Sequence, residues 1–384
     1  ALNRNYYCRR SHHDKYNLCR NGCPYHKLHA LLLQHEDDRF FAEVQVEPDA
    51  KNILKYLARI EKQQSRDCRI VCGYEAGCLG YSLYHQLHAH GIDCVILAPT
   101  TMMTKPGKRI KTDRRDARLI SKCLAFHTYS PVYIPTEVDD AVKEYIRMRD
   151  DANSALARVK QQIIAFCIRH GKIHDGKSYW TNKHLEWLSS LDLGNKILSE
   201  VLQEYLIRYY QLREQVDMYD MRINELAQAE PYRQKVEKLG CFRGIAAHTA
   251  LSFCVEVGDF RRFATAQQFA SYLGLVPGEC SSGDKQQYTG ITKAGNSHLR
   301  KLLVETAQVF GRSATKSGKS VALKERQAKC DSLTVAYADK ENARLKKKYF
   351  KIAMRSRVNI AKTAVAREMA CFIWGMMTDN ISCA

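Results

Sequence analysis

The rhythm of apolar and polar positions takes three forms along this chain. Between 39 and 135, short apolar runs alternate with amphipathic ones. "RFFAEVQVE" (39–47) alternates residue by residue and predicts a strand, whereas "AKNILKYLARIEKQ" (50–63) repeats at helical spacing. "CRIVCGYEA" (68–76) and "CVILAP" (94–99) are apolar throughout, the mark of strands covered on both faces. "YSLYHQLHAHG" (81–91) reads as a helix with a glycine stop. A basic loop follows (100–112), then a helix from about Asp113 to His127, and "YSPVYIP" (129–135) reads as a closing strand. Alternating strands and helices predict an α/β domain with a partly parallel sheet.

The second rhythm is a heptad. Leu198, Leu202, Tyr205, Tyr209, Leu212, Val216, Tyr219, Ile223 and Leu226 follow each other at alternating spacings of 4 and 3, which predicts a coiled coil. Val142, Tyr145, Ala152, Leu156, Val159, Ile163 and Phe166 form a less regular seam, and a polar break (170–183) separates the two. A hairpin and a pairing between subunits fit equally well. Either way the segment is assigned to spacing or dimerisation.

Pro231 opens the third, mostly helical region. Residues 236–258 read as helix, turn, helix. The "FRGI" turn either aims backbone N–H groups at a phosphate or is an ordinary helix hairpin. "FATAQQFASYLGLVP" reads as a helix ending at Gly274 and Pro277. A Gly/Ser-rich loop, a short strand and a helix carrying Arg300 and Lys301 follow, and 343–367 is basic and helical. The resulting division is 1–137, 138–230, 231–320 and 321–384.

Charge changes the picture more than size does. The 384 residues are 45% apolar, enough for several cores, but the net charge is +19. Such a balance favours a polyanionic partner. No leader and no long apolar run is read in the chain, so nucleic acid is favoured over a membrane and a cytoplasmic setting is expected. Fifteen cysteines at irregular spacing read as reduced thiols. Cys19, Cys23, His26 and His29 are zinc-ligand types, but their spacing is uncommon and no second knuckle faces them.

The candidate chemistry lies in the acids. Glu75 ends a buried strand beside Gly73 and Gly77, where ligands gather in parallel sheets. Asp113 and Asp116, three apart in "KTDRRDAR", share one helix face amid Lys108, Arg109, Lys111, Arg114 and Arg115. The bland reading is a helix cap with a second acid in the first turn. The sharper one is that Glu75, Asp113 and Asp116 hold Mg²⁺ while the cations hold a nucleic-acid backbone.

The run "GYEAG", then "KTDRRDAR", then "LGLVPGECSSGDKQQYTGITKAGNSHLRKLL" resembles the DEDD transposases of the insertion-sequence one-ten family, nearest its one-one-one-one subgroup. The likeness covers roughly residues 38 to 310. It implies an RNase H-like (RuvC-like) domain, a coiled coil and a C-terminal transposase domain. It also implies Mg²⁺-dependent recombination of double-stranded DNA, element ends with target, guided by a structured bridge RNA and carried out by a homo-oligomer. Glu75, Asp113 and Asp116 match three of the family's four acids. Ser282 of the Ser-Gly pair matches its nucleophile, with Ser281 the neighbouring alternative, and the acids of one subunit would meet the serine domain of another. Lys293, Arg300 and Lys301 join the basic residues expected to contact nucleic acid.

The chain departs from the family at its start. The family's first strand ends in an aspartate; here "NYYCRRSHHDKYNLC" puts Arg10 at that place, with Asp14 the nearest acid. Residues 1–37 therefore read either as an aberrant, frameshift-like start, in which the sheet would lose a central strand, or as a divergent but working one. Two alternatives stand beside the transposase: a RuvC-like endonuclease that needs the acids but not the serine, and an inactive nucleic-acid-binding remnant.

Overall fold

Strands continuous in apolar residues need cover on both sides, and the N-terminal sheet has it. The computed structural model describes residues 3–10, 28–34, 39–47, 49–63, 69–77, 79–99, 102, 113–279, 287–312 and 318–381. They fall into two units, Ala1–Ile134 and Pro135–Ala384. In the first, β1 (Asn3–Arg10), β2 (Leu28–Gln34), β3 (Arg39–Val46), β4 (Arg69–Glu75) and β5 (Asp93–Leu97) form one sheet in the order β3-β2-β1-β4-β5. β1 to β3 are antiparallel neighbours, whereas β1–β4 and β4–β5 are parallel. This order agrees with the RNase H-like expectation.

The helices are α1 (Ala50–Gln63), α2 (Ser82–Ala89) and α3 (Asp113–Ala125). Ile70, Cys72, Tyr74, Cys94 and Ile96 share a core with Ile53, Leu57 and Ile60 of α1 and Leu83 and Leu87 of α2. Leu33 and Leu97 share the other core with Ile120, Cys123 and Leu124 of α3. Successive strand residues therefore alternate between a face under α1 and α2 and a face under α3.

Two expectations are corrected here. The first strand is present, and it is central: β1 lies between β2 and β4. Its sequence, "NRNYYCRR", lacks the apolar run of a buried strand, which is why it escaped notice. The closing strand at 129–135 reduces to one bridge between Pro131 and Leu97. Pro131 and Pro135 cannot donate ladder hydrogen bonds.

The second unit begins with a helical hairpin. α4 (Glu137–Arg169) starts at Thr136, whose side chain accepts from the Asp139 amide, and acids fill its first turn. α5 (Asn182–Ser189) lies at the turn, and α6 (Lys196–Gln228) starts at Asn195, which accepts from the amides of Ile197 and Leu198. Tyr145 meets Tyr219 and Phe166 meets Tyr205, with ring centres 5.6 and 6.0 Å apart, so the long helices run antiparallel. Leu202, Tyr209, Val216 and Ile223 of the seam are fully buried; Leu198, Tyr205, Leu212 and Tyr219 are half-buried. Of the two readings of the seams, the chain forms the intramolecular hairpin.

Next come α7 (Arg233–Gly240), α8 (Ala247–Val257), α9 (Ala266–Tyr272), the hairpin of β6 (Pro277–Glu279) and β7 (Tyr288–Ile291), α10 (Ser297–Thr306), α11 (Gln308–Arg312), α12 (Val321–Gln327), α13 (Ser332–Ala353) and α14 (Val358–Met377). Leu251, Phe253, Leu299 and Leu303 share one core with Ala338, Leu345, Val365 and Ile373. Residues 321–384 thus belong to the same core as 231–320. The "FRGI" turn is an ordinary helix connection: the Arg243 amide donates to Asn342 Oδ1 at 3.0 Å and the Ile245 amide to the Phe242 carbonyl.

Candidate active site

Glu75 and α3 lie on the same side of the sheet. Tyr74 packs under α1 and α2, so its neighbours Gly73 and Glu75 face the other way. Gly73 confirms the direction, because a Cβ there would come within 2.3 Å of Leu124 Cδ1 on α3. A glycine at 73 lets the helix settle onto β4. Glu75 follows two residues later, half-buried at the strand end. On α3, Ala117, Ile120, Cys123 and Leu124 are buried. Positions 113 and 116 precede Ala117 and Ile120 by one helical turn, so both fall on the stripe that faces the sheet. Asp116 is half-buried there. The bland reading of a solvated pair is thereby weakened. The side chain of Asp113 lies outside the described residues.

The opposite side of α3 carries its cations. Arg114 Nε lies 2.7 Å from Glu43 Oε1 on β3, and Arg118 Nη2 lies 3.7 Å from Glu43 Oε2. Arg118 and Lys122 also sit over the Phe40 ring, 5.1 and 5.6 Å from its centre. Arg114 is therefore tied to the sheet, while Arg115 is exposed. Lys108, Arg109, Lys111, Asp14, Cys19, Cys23 and His26 lie outside the described residues, and His29 is described only as part of β2.

An all-oxygen set of Glu75, Asp113 and Asp116 suits a hard divalent cation. Their shared face is the feature that fits. Among the described residues no group of three His, Cys, Asp or Glu side chains is placed to hold a metal. At the end of β1, where the resemblance expects the first aspartate, stand Arg9 and Arg10. The parallel register aligns Asn5 with Val71; carried four residues further, it brings Arg9 level with Glu75.

The C-terminal motif is built around close backbone contact. Gly274 has φ +64°, and a Cβ there would fall 2.1 Å from the Ala294 carbonyl oxygen. Gly295 has φ +73° and the same clearance from the Tyr272 carbonyl oxygen. No side chain fits at either place. Arg300 Nη1 donates to the carbonyls of Leu273 and Ala294 at 2.8 and 3.1 Å, so it pins the two segments together. Lys293 is exposed, with φ +54°, and Lys301 is exposed beside Glu305. The β6–β7 hairpin rises from this knot. Its tip, with Ser281, Ser282 and Gly283, lies outside the described residues.

Beside the knot is a charged network. His298, in the first turn of α10, sits between two carboxylates: Nδ1 is 2.5 Å from Glu256 Oε1 on α8 and Nε2 is 2.8 Å from Asp150 Oδ2 on α4. His248 Nε2 lies 3.1 Å from the other oxygen of Asp150. The Asn296 amide donates to Glu256, and its Oδ1 caps α10 through the Leu299 amide. Arg149 grips Asp220 on α6 with two hydrogen bonds, 2.7 and 3.0 Å, and touches Asp150. Burial alone would lower the His298 pKa, but Asp150 and Glu256 outweigh it and raise it to about 9. Burial opposes the charge on Asp150 too, yet His248 and His298 hold its carboxyl far below the ordinary range. Glu256, likewise against burial, is lowered by His298 and Asn296.

The sequence reading missed this network. One signal was available: Arg149 occupies the place between Tyr145 and Ala152 where the heptad calls for an apolar residue. The irregularity of the second seam is that arginine.

The sheet order agrees with an RNase H-like arrangement, and the chain is strongly basic. The comparisons with known proteins narrow the class. The family model for DEDD transposases of the IS110 type matches residues 25–168, and that of the transposase IS116/IS110/IS902 family matches 237–325. The transposase for insertion sequence element IS1533 of Leptospira borgpetersenii is 31% identical over 85% of this chain and 94% of its own length. A protein of Sinorhizobium fredii that carries a transposase name, y4qE, is 35% identical over 80% of this chain and 75% of its own length. The transposase for IS1111A of Coxiella burnetii is 25% identical over 84% and 83%. The chain belongs to the IS116/IS110/IS902 family of insertion-sequence transposases. The first matched segment begins at residue 25, downstream of β1, and ends in α4; the second contains Glu256 and His298. The network thus joins Asp150 of one matched segment to His248, Glu256, Asn296 and His298 of the other.

Proposed function

We propose that this transposase cuts and rejoins DNA strands through a serine ester, with divalent metal held by Glu75, Asp113 and Asp116. The observation that carries the reading is the common face of these acids, with Glu75 at the end of β4 and positions 113 and 116 on the sheet-facing stripe of α3. Bound there, Mg²⁺ would supply positive charge to the phosphate oxygens. The hydroxyl of Ser282, with Ser281 the alternative, attacks phosphorus. Its O–P bond forms as the bond from phosphorus to one DNA oxygen breaks, and the serine proton ends on that oxygen as a DNA hydroxyl. A second DNA hydroxyl reverses the step on a new partner strand. No outside oxidant, reductant or nucleotide is needed.

Arg115, Lys108, Arg109, Lys111, Lys293 and Lys301 are the cations assigned to the DNA backbone. Arg114 and Arg300 are left out, since Glu43 and two carbonyls engage them. Guidance by a structured RNA, action as a homo-oligomer and a cytoplasmic setting follow the family resemblance.

A second reading rests on one observation. Arg9 and Arg10 at the end of β1 replace the expected acid, which favours a nucleic-acid-binding remnant without cleavage. One assay separates the two. Purified protein, labelled element-end DNA, its flanking RNA and Mg²⁺ are mixed and probed for a denaturant-resistant protein–DNA adduct. An adduct lost in Ser282→Ala and Glu75→Ala supports the serine ester. Binding with no adduct supports the remnant. Cleavage that survives Ser282→Ala overturns the nucleophile assignment and restores the endonuclease.

A further inference from the structure

Helices α13 and α14 enclose a groove of about 500 Å³, lined chiefly by Arg344, Lys347, Lys348, Lys351 and Arg355 with one carboxylate, Glu368. We propose that this groove is a binding surface for the sugar–phosphate backbone of duplex nucleic acid. It lies outside both segments that the family models match, since α13 starts at Ser332. Arg344, Lys348 and Lys351 are spaced 4 and 3 along one face of α13, and Arg355 follows just past its C-terminal end, so the row runs for about 16 Å. A duplex presents roughly ten backbone charges over such a length.

The internal charge balance leaves this row positive. Glu368, almost buried on α14, takes Arg344 Nε at 2.8 Å and also Lys348. Glu341 lies 4.0 Å from Arg344. The side chains of Lys347, Lys351 and Arg355 make no ion pair or hydrogen bond among the described residues. Like charges one turn apart disfavour the helix that carries them, and Glu368 offsets this only at Arg344 and Lys348. An external polyanion would offset the rest. The groove is concave and ringed by cations, which suits a phosphate ridge. The exposed apolar side chains at the elbow, Met354, Val358 and Ile360, are all aliphatic and make a poor membrane face.

The surface rests on the transposase reading only for its partner, and its test needs no cleavage. Binding of the full chain to a 30-base-pair duplex of arbitrary sequence is measured by anisotropy across a salt series. A structured RNA hairpin and vesicles containing anionic lipid form parallel arms. The variant combines Lys347→Gln, Lys351→Gln and Arg355→Gln. A control removes the same charge at the tip of the α4–α6 hairpin, by Lys177→Gln, Lys183→Gln and Lys196→Gln.

The groove variant is expected to bind duplex about tenfold more weakly. The slope of log affinity against log salt should flatten by about 2 to 3, one phosphate contact per cation removed. The control should change neither slope nor melting temperature. A loss in the DNA arm, the RNA arm or both supports the surface and says which duplex it takes. An unchanged slope in both arms overturns it, as does an equal loss in the control. A loss confined to vesicles overturns it in favour of a membrane. Loss of strand cleavage in Asp116→Asn with this result intact leaves the surface standing; absence of cleavage in the unaltered chain touches only the reading above.

Discussion

Helices α3 and α13 carry similar rows of basic side chains and use them differently. On α3, Arg114 and Arg118 reach Glu43, and Arg118 and Lys122 cover Phe40. On α13, Glu368 answers Arg344 and Lys348, but the side chains of Lys347, Lys351 and of Arg355 just past the helix end have no such partner among the described residues. Both rows look alike as sequence. The difference lies in a carboxylate 71 residues upstream of Arg114, which the fold delivers to one helix and not to the other. A basic run therefore states the sign of a local field but not who answers it.

The sharpest way to test that contrast is to remove acids rather than bases. Asp116→Asn and Glu75→Gln keep shape and remove charge. Each is expected to lower strand cleavage on the order of a thousand-fold, about 4 kcal/mol of lost transition-state stabilisation, with little change in melting temperature. Unchanged cleavage rates would return both acids to the solvated reading.

Next in size is the His298 network, where cations and carboxylates answer each other fully. His298→Ala removes the shared partner of two largely buried carboxylates and should cost on the order of 3 kcal/mol, seen as a lower denaturation midpoint. The pH dependence has a definite sign. The folded pKa of His298 is raised from 6.5 to about 9. Its stabilisation is complete below 6.5 and disappears as pH rises through about 9. Asp150 and Glu256 are lowered, so their share is present above the ordinary carboxylate pKa and fades in acid. Denaturation midpoints should therefore fall between pH 6.5 and 9 in the natural chain, and this decline should flatten in His298→Gln.

Gly274→Ala comes third. The positive φ and the Ala294 carbonyl oxygen leave no room, and a loss of about 2 kcal/mol is expected. A neutral melting curve would show that the knot can open without penalty. The smallest effect belongs to α3. Arg114→Gln breaks a pair whose arginine is 59% exposed, so less than about 1 kcal/mol should be lost. The salt slope of duplex binding should stay as it is. If it flattens as much as in Lys351→Gln, the contrast between the two helices fails.

Much of the fold was legible because its signals were local. The strand at 69–75, the helix at 50–63 and the seam of α6 each announce themselves by the spacing of their own apolar residues. β1 did not, because its place comes from pairing with β2 and β4 rather than from its own apolarity. Glu75, Asp113 and Asp116 were legible as candidates through their flanking glycines and spacing, and their common face needed the alternation of two cores to be seen. Of the His298 network only Arg149 left a trace in the sequence, as the break in the second seam; His298, Asp150 and Glu256 left none. They meet only after α4, α8 and α10 pack, and each alone is an unremarkable polar residue.

The antiparallel hairpin has a consequence for how such chains can change length. Its two long helices leave from and return to the same base, where Arg149 of one grips Asp220 of the other. Insertion of one heptad in each helix, near the turn, would extend the arm by about 10 Å and keep every seam residue in step. Nothing below Arg149 would shift. The arm is thus a ruler whose reading can be altered without touching the hand that holds it, and the distance its tip reaches is a quantity that descent can adjust separately from the chemistry.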